Sequence, residues 1–189
     1  MNRARFISCL IYDGISTNLM LPFQDSSQDM TLQEGIDCYR VYLIQNNRKI
    51  LVDETGSTLI RDHDATHVIF GLDTTLEEES MLDSWVLWGT EYRFSYLNQY
   101  RKLPQLKEFN KNLFKELRIS GIFKLLRPVI RNKITVFKRT RKMKKKWPFR
   151  VPEEYLEKSI LDLRSEFGID ILSKEERTPK RKLEWSGSF

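Results

Sequence analysis

The charged residues of this chain are divided unevenly along its length, and this division constrains the fold more than any other feature. Residues 1–110 contain 10 Lys or Arg and 16 Asp or Glu, whereas residues 111–189 contain 22 and 10. A change of charge this large near residue 110 predicts two modules, a neutral-to-acidic fold and a basic arm. Because 40% of the 189 residues are hydrophobic, we expect the chain to bury a core.

The basic arm is densest at residues 131–150, where ten of twenty residues are Lys or Arg and none is acidic. Long cationic side chains at this density suit contacts with phosphate groups, so we predict a nucleic-acid-binding segment, with DNA favoured over RNA. Two aromatic residues, Trp147 and Phe149, could stack on bases or anchor a following helix in a core. The candidate residues are Arg131, Lys133, Lys138, Arg139, Arg141, Lys142, Lys144, Lys145, Lys146, Trp147 and Arg150.

Three other roles stay open for the basic run. It is also typical of a nuclear-import signal, of a solvated surface and of a contact for an acidic protein, and the acidic first half of the chain is one such candidate. Import and nucleic-acid binding are compatible with each other.

Apolar runs that suggest strands alternate with helical patterns over the first 103 residues. Strands are predicted at residues 5–12, 49–52, 66–72 and 84–88, and residues 17–22 pair with the first strand or continue it. A capping box at Thr31 and Glu34 predicts a helix that ends near Asn46. Further helices are predicted at 74–84 and 90–103. This alternation favours an α/β domain with a small parallel sheet flanked by helices.

The same residues carry a resemblance to a known family. The segments "YDGISTNLMLPF", "YLIQNNRKILVDE", "ATHVIF" and "GTEYRFSYLNQYRKL" resemble the BRCT domain, in particular the divergent BRCT domain of telomeric repressor-activator proteins. The resemblance implies a parallel-sheet module that binds nuclear protein partners at chromatin or telomeres. Phosphopeptide binding is not implied, because Asp13 stands before Gly14 where the phosphopeptide-binding members have Ser or Thr.

Beyond Pro104 the pattern is helical throughout. One helix is predicted at residues 106–117, and another is predicted to begin after Pro152 and to end at Gly168. We therefore divide the chain into a BRCT-like α/β domain at 1–104, a basic and mainly α-helical region at 105–173, and a flexible tail at 174–189.

The sequence predicts no metal site, no cofactor, no small-molecule substrate and no catalytic motif. The group Asp62, His63, Asp64 and His67 contains ligand types for zinc or iron. However, His67 falls in a predicted strand and His63 in the loop before it, so their convergence would be accidental. Asp53 and Glu54 could suggest a magnesium-binding nuclease pair, but Gly56 stands where the expected Lys would be.

The sequence therefore predicts a non-enzymatic nuclear adaptor, associated with chromatin or telomeres. Its BRCT-like domain would bind proteins, and its basic half would bind nucleic acid. The alternatives are a protein-interaction module whose basic run serves import or assembly, and an RNA-binding component of a ribonucleoprotein. No apolar run reaches the length of a membrane span, and Cys9 and Cys38 lie in apolar runs that suggest reduced thiols.

Overall fold

A computed structural model describes residues 20–48, 50–54, 56–93 and 127–178 of the chain. Its described part is mainly helical. The α-helices are α1 (Leu32–Gln45), α2 (Leu59–Phe70), α3 (Leu76–Gly89), α4 (Ile130–Thr140), α5 (Ile160–Phe167) and α6 (Lys174–Arg177), and short 3-10 turns cover Pro22–Gln24, Arg127–Val129 and Glu153–Tyr155. Among the helices of these residues, none is both long enough and apolar enough to cross a membrane.

Helix α1 begins at the predicted capping box. The Thr31 hydroxyl accepts a hydrogen bond from the Glu34 amide at 3.1 Å, and the Glu34 carboxylate accepts one from the Thr31 amide at 2.9 Å. Both bonds satisfy groups that a helix start leaves without an intrahelical partner. The apolar face of α1, which includes Ile36 and Tyr39, is buried against α2. This predicted helix is confirmed.

The predicted third strand, residues 66–72, is wrong because these residues lie mostly in α2. The Asp53 carboxylate accepts hydrogen bonds from the amides of Ile60 and Arg61, at 2.8 and 2.9 Å, and so caps the start of the helix from the preceding loop. Gly71 ends it in the left-handed conformation, with φ of 67°. A helix segment that is buried on all sides has the same apolar sequence pattern as a core strand. Here the caps at both ends of the segment favour the helix.

The α/β fold class as a whole is contradicted, since the described residues form no β-strand and no sheet. The predicted strand at 84–88 lies inside α3, and residues 50–52 are irregular. The predicted strand at 5–12, most of 17–22 and the helix at 106–117 lie outside the described residues, as does most of the helix at 90–103. A small parallel sheet of the BRCT kind is therefore not seen.

One hydrophobic core contains residues from both sides of the predicted boundary at residue 104. It includes Phe23, Phe70 and Trp85 from the first part of the chain, and Trp147 and Phe167 from the second. Helix α4 packs on α3. Helix α5 ends at Gly168, which has a φ of 68°, and this confirms the predicted end. Cys38 is buried in the same core and is not a free thiol, which differs from the expectation for this residue.

A buried arginine on α5 ties α5 to the end of α2. The Arg164 guanidinium donates hydrogen bonds to the carbonyls of Val68 and Ile69, both at 2.9 Å, and to that of Phe23 at 2.6 Å. Carbonyls in the last turn of a helix lack intrahelical partners and favour a nearby cation. Burial lowers the pKa of Arg164 to about 9, and the nearby Arg177 acts in the same direction.

Candidate functional site

The basic run of the sequence forms α4 and the loop that follows it. Val136 and Thr140 face the core, and Thr140 lies beside Gly89 at the end of α3. Arg131 and Lys138 are exposed. Because they are seven residues apart, they lie two turns apart on the same face of the helix. The helix therefore presents cations on the side that faces away from the core.

The loop after α4 is attached to the core at two points. The Lys144 amide donates a hydrogen bond to the Phe167 carbonyl at 2.9 Å. The Trp147 amide donates to the Gly89 carbonyl at 2.9 Å, and the Trp147 carbonyl accepts from the Glu91 amide at 2.9 Å. These bonds fix the backbone of the basic residues between them, so their side chains project from a defined position.

Trp147 is fully buried and holds this loop in place. Its ring centroid lies 5.0 Å from that of Phe167 and 5.7 Å from that of Tyr155. The indole packs against the start and the end of the segment at 153–167, which is the anchoring role that the sequence offered as an alternative to stacking on bases. Trp147 is therefore not available at the surface.

Four of the predicted cationic residues are engaged within the protein. Arg139 donates hydrogen bonds to the Asp170 carbonyl at 2.8 Å and to the Glu176 carboxylate at 2.7 Å. Lys145 pairs with Glu166. In the other two cases the partner is in the first half of the chain: Arg150 lies 3.6 Å from the Asp62 carboxylate, and half-buried Lys133 is close enough to Asp83 to interact electrostatically.

Six predicted residues remain exposed, and none of them contacts a carboxylate within the described part of the chain. We call them the basic surface. The Lys144 ammonium donates a hydrogen bond to the Ser165 carbonyl at 2.8 Å. The six residues are Arg131, Lys138, Arg141, Lys142, Lys144 and Lys146.

A second group of polar residues meets between α2 and α3. One nitrogen of His63, one nitrogen of His67 and one carboxylate oxygen of Glu79 all lie within 4.8 Å of one another. Burial lowers the pKa of His63 to about 4 and that of His67 well below its ordinary value. Burial also raises the pKa of Glu79 to about 8, and Asp83 and Asp73 add to this shift.

The two aspartates that neighbour His63 in sequence bind arginines instead. Asp62 pairs with Arg61 at 2.8 Å, and Asp64 pairs with Arg40 at 2.8 Å. Sequence reasoning missed the convergence of His63 and His67, because it placed His67 in a strand. Their spacing of four residues would have indicated a shared face if the segment had been taken as a helix.

Comparison with known proteins finds no relative of this chain. The chain matches no family model, no curated protein and no solved structure.

Proposed function

We propose that this protein binds the phosphate backbone of nucleic acid, with duplex DNA as the preferred form, through the basic surface. The observation that carries the proposal is the set of six exposed cations on α4 and its anchored loop, which contact no carboxylate in the described part of the chain. Phosphate contacts require cations that are not already neutralised.

The arrangement suits contacts to the backbone more than contacts to base edges. Each arginine or lysine of the surface is long enough to reach a phosphate from an anchored main chain. Binding of this kind depends on charge and tolerates different base sequences. A nuclear location, a role at chromatin and an import function of the same run stay predictions.

The salt dependence of binding tests the proposal. If all six cations contact phosphates, the logarithm of the association constant should fall with the logarithm of salt concentration with a slope of about −5 for duplex DNA. Affinity should then drop about a thousandfold between roughly 50 and 200 mM salt. Fluorescence anisotropy of a labelled duplex, titrated with the full-length chain at several salt concentrations, measures this slope.

Charge-neutralising variants locate the contact. The double variant Lys142→Gln/Lys146→Gln should make the slope less steep by about 2, from about −5 to about −3, because each lost cation removes about 1. Lys158→Gln is the matched control, because Lys158 lies over the Tyr155 ring, 4.6 Å from its centroid, and outside the basic surface. No binding at low salt, or an unchanged slope in the double variant, would refute the proposal. Duplex RNA and single strands, tested in parallel, decide which polymer is preferred.

A second candidate function is the binding of an acidic, amphipathic protein segment. Three apolar side chains of α4 are exposed beside the basic surface: Ile130 and Ile134 at 49% each, and Phe137 at 43%. The Phe137 ring contacts exposed Trp88 of α3, with centroids 5.3 Å apart. These apolar side chains do not contribute to contacts with phosphate groups. Phe137→Ser should weaken capture of such a partner and leave the salt slope on DNA unchanged.

A further inference from the structure

His63, His67 and Glu79 bring three donor groups together between two helices. His63 and His67 are four residues apart in α2, so they occupy one face of the helix. Glu79 comes from the first part of α3, which packs on α2. Two imidazoles and one carboxylate are a ligand set that binds transition metals in proteins.

The orientation of His67 is fixed from two sides. Its Nδ1 lies 3.3 Å from the Leu72 carbonyl. Because a carbonyl oxygen only accepts hydrogen bonds, Nδ1 carries the hydrogen and donates it. The Tyr39 ring stacks on the imidazole, with centroids 4.7 Å apart and planes inclined by 22°. A ring N–H bonded to a backbone carbonyl is the usual support of a metal-binding histidine.

The other nitrogen of His67 has no hydrogen-bond partner within the described residues. His67 is fully buried, and its Nε2 lies 3.4 Å from a carboxylate oxygen of Glu79. With the hydrogen on Nδ1, this nitrogen presents a lone pair to an oxygen that also has lone pairs. Two hydrogen-bond acceptors in this position require a hydrogen or a cation between them. A cation there would find a third ligand atom on the nearby His63.

We propose that His63, His67 and Glu79 bind one Zn²⁺ ion, which links α2 to α3. Imidazole and carboxylate together suit zinc, whereas magnesium and calcium take mainly oxygen ligands. Donors around tetrahedral zinc are about 3.3 Å apart, given bond lengths of about 2.0 to 2.1 Å. The three ligand atoms lie within 4.8 Å of one another, so small rotations of the His63 and Glu79 side chains would bring them to this spacing around the fixed His67.

Three protein ligands leave one coordination position for a water molecule. The Glu79 side chain is 31% exposed, whereas His67 is fully buried. Glu79 is therefore the more solvent-accessible of these two ligands, and an ion would reach the site from its side.

Metal binding by the full-length chain tests this inference. The protein is treated with a chelator, dialysed and titrated with Zn²⁺ by calorimetry, and in parallel with Co²⁺, whose visible absorption reports tetrahedral coordination. We expect saturable binding with one ion per chain, tetrahedral Co²⁺ bands, and a higher melting temperature with Zn²⁺.

Variants assign the ligands. Glu79→Gln keeps the shape of the side chain and should weaken Zn²⁺ binding about tenfold or more. His63→Gln should do the same, and far-UV circular dichroism checks that both variants fold. Glu77→Gln makes the same change of charge on the same helix, outside the cluster, and should bind as the wild type does. Absence of saturable binding to the folded wild type would overturn the inference, as would binding that both ligand variants retain.

Discussion

A methyl group added at Gly35 tests the packing of three helices at one point. Gly35 lies in α1, and a Cβ atom there would be 2.5 Å from Cγ1 of Val68 in α2 and 2.9 Å from Cδ1 of Ile160 in α5. Carbon atoms pack best at about 3.5 to 4.0 Å, so the overlap with Val68 is about 1 Å or more. Valine is stiff at χ1 in a helix and cannot rotate away easily.

Helix propensity and packing make opposite predictions for Gly35→Ala. In a helix that faced solvent, the change would raise the free energy of unfolding by about 1 kcal/mol. Overpacking a core costs about 1 to 3 kcal/mol, and the overlap with a stiff side chain places this site at the upper end. We therefore expect a net loss of about 1 to 2 kcal/mol. Urea denaturation of the full-length chain, followed by circular dichroism, measures this loss.

A second substitution separates the clash from other effects. Val68→Ala removes the nearer of the two contacts that the new Cβ would make and leaves the contact with Cδ1 of Ile160, so Gly35→Ala should cost less stability in that background than in the wild type. The coupling between the two changes should be about 1 kcal/mol or more, as is usual for residues in contact. If Gly35→Ala raised the stability of the wild type by about 1 kcal/mol, the packing of α1 against α2 described here would be wrong.

Two further predictions concern Trp147 and Asp64. Trp147→Phe should lower stability in urea but leave DNA affinity and its salt slope unchanged, because the indole is buried. If Trp147 stacked on bases, the substitution would lower DNA affinity. Burial raises the pKa of Asp64 to about 6, against the effect of Arg40, so the folded chain holds this proton more tightly than the unfolded chain. Stability from this group is present at low pH and is lost as pH rises from about 4 to 6. At about 1.4 kcal/mol per pKa unit, the wild type should lose roughly 2 to 3 kcal/mol of stability relative to Asp64→Asn between pH 4 and 7. Both proteins are measured in chelator-containing buffer, and a stability difference that stayed constant with pH would contradict this.

Features with a local cause could be predicted from the sequence. The capping box at Thr31 and Glu34 marks the start of α1, and Gly168 marks the end of α5. In each case a few neighbouring residues satisfy the backbone groups at a helix end, and distant parts of the chain are not needed. The density of the basic run was also visible, since charge is a property of composition.

Features that depend on distant residues could not be predicted in this way. The run "THVIF" has the length and the β-branched residues of a buried strand, but Asp53 caps the helix from seven residues before Ile60. The error hid the site between α2 and α3, because the two histidines share a face only in a helix. Glu79 belongs to a run of three glutamates, and nothing in that run singles out the one that faces His67.

The division of charge at residue 110 predicts two modules, but a change of charge alone is weak evidence for a domain boundary. Domains are defined by the apolar surface that they bury, whereas charged residues lie mostly on the outside. Trp147 from the basic run packs into the same core as Trp85 from the acidic half, and Arg164 binds carbonyls at the end of α2. Nucleic-acid binding should therefore be measured on the whole chain, because the backbone that presents the basic surface is held at Gly89 as well as at Phe167.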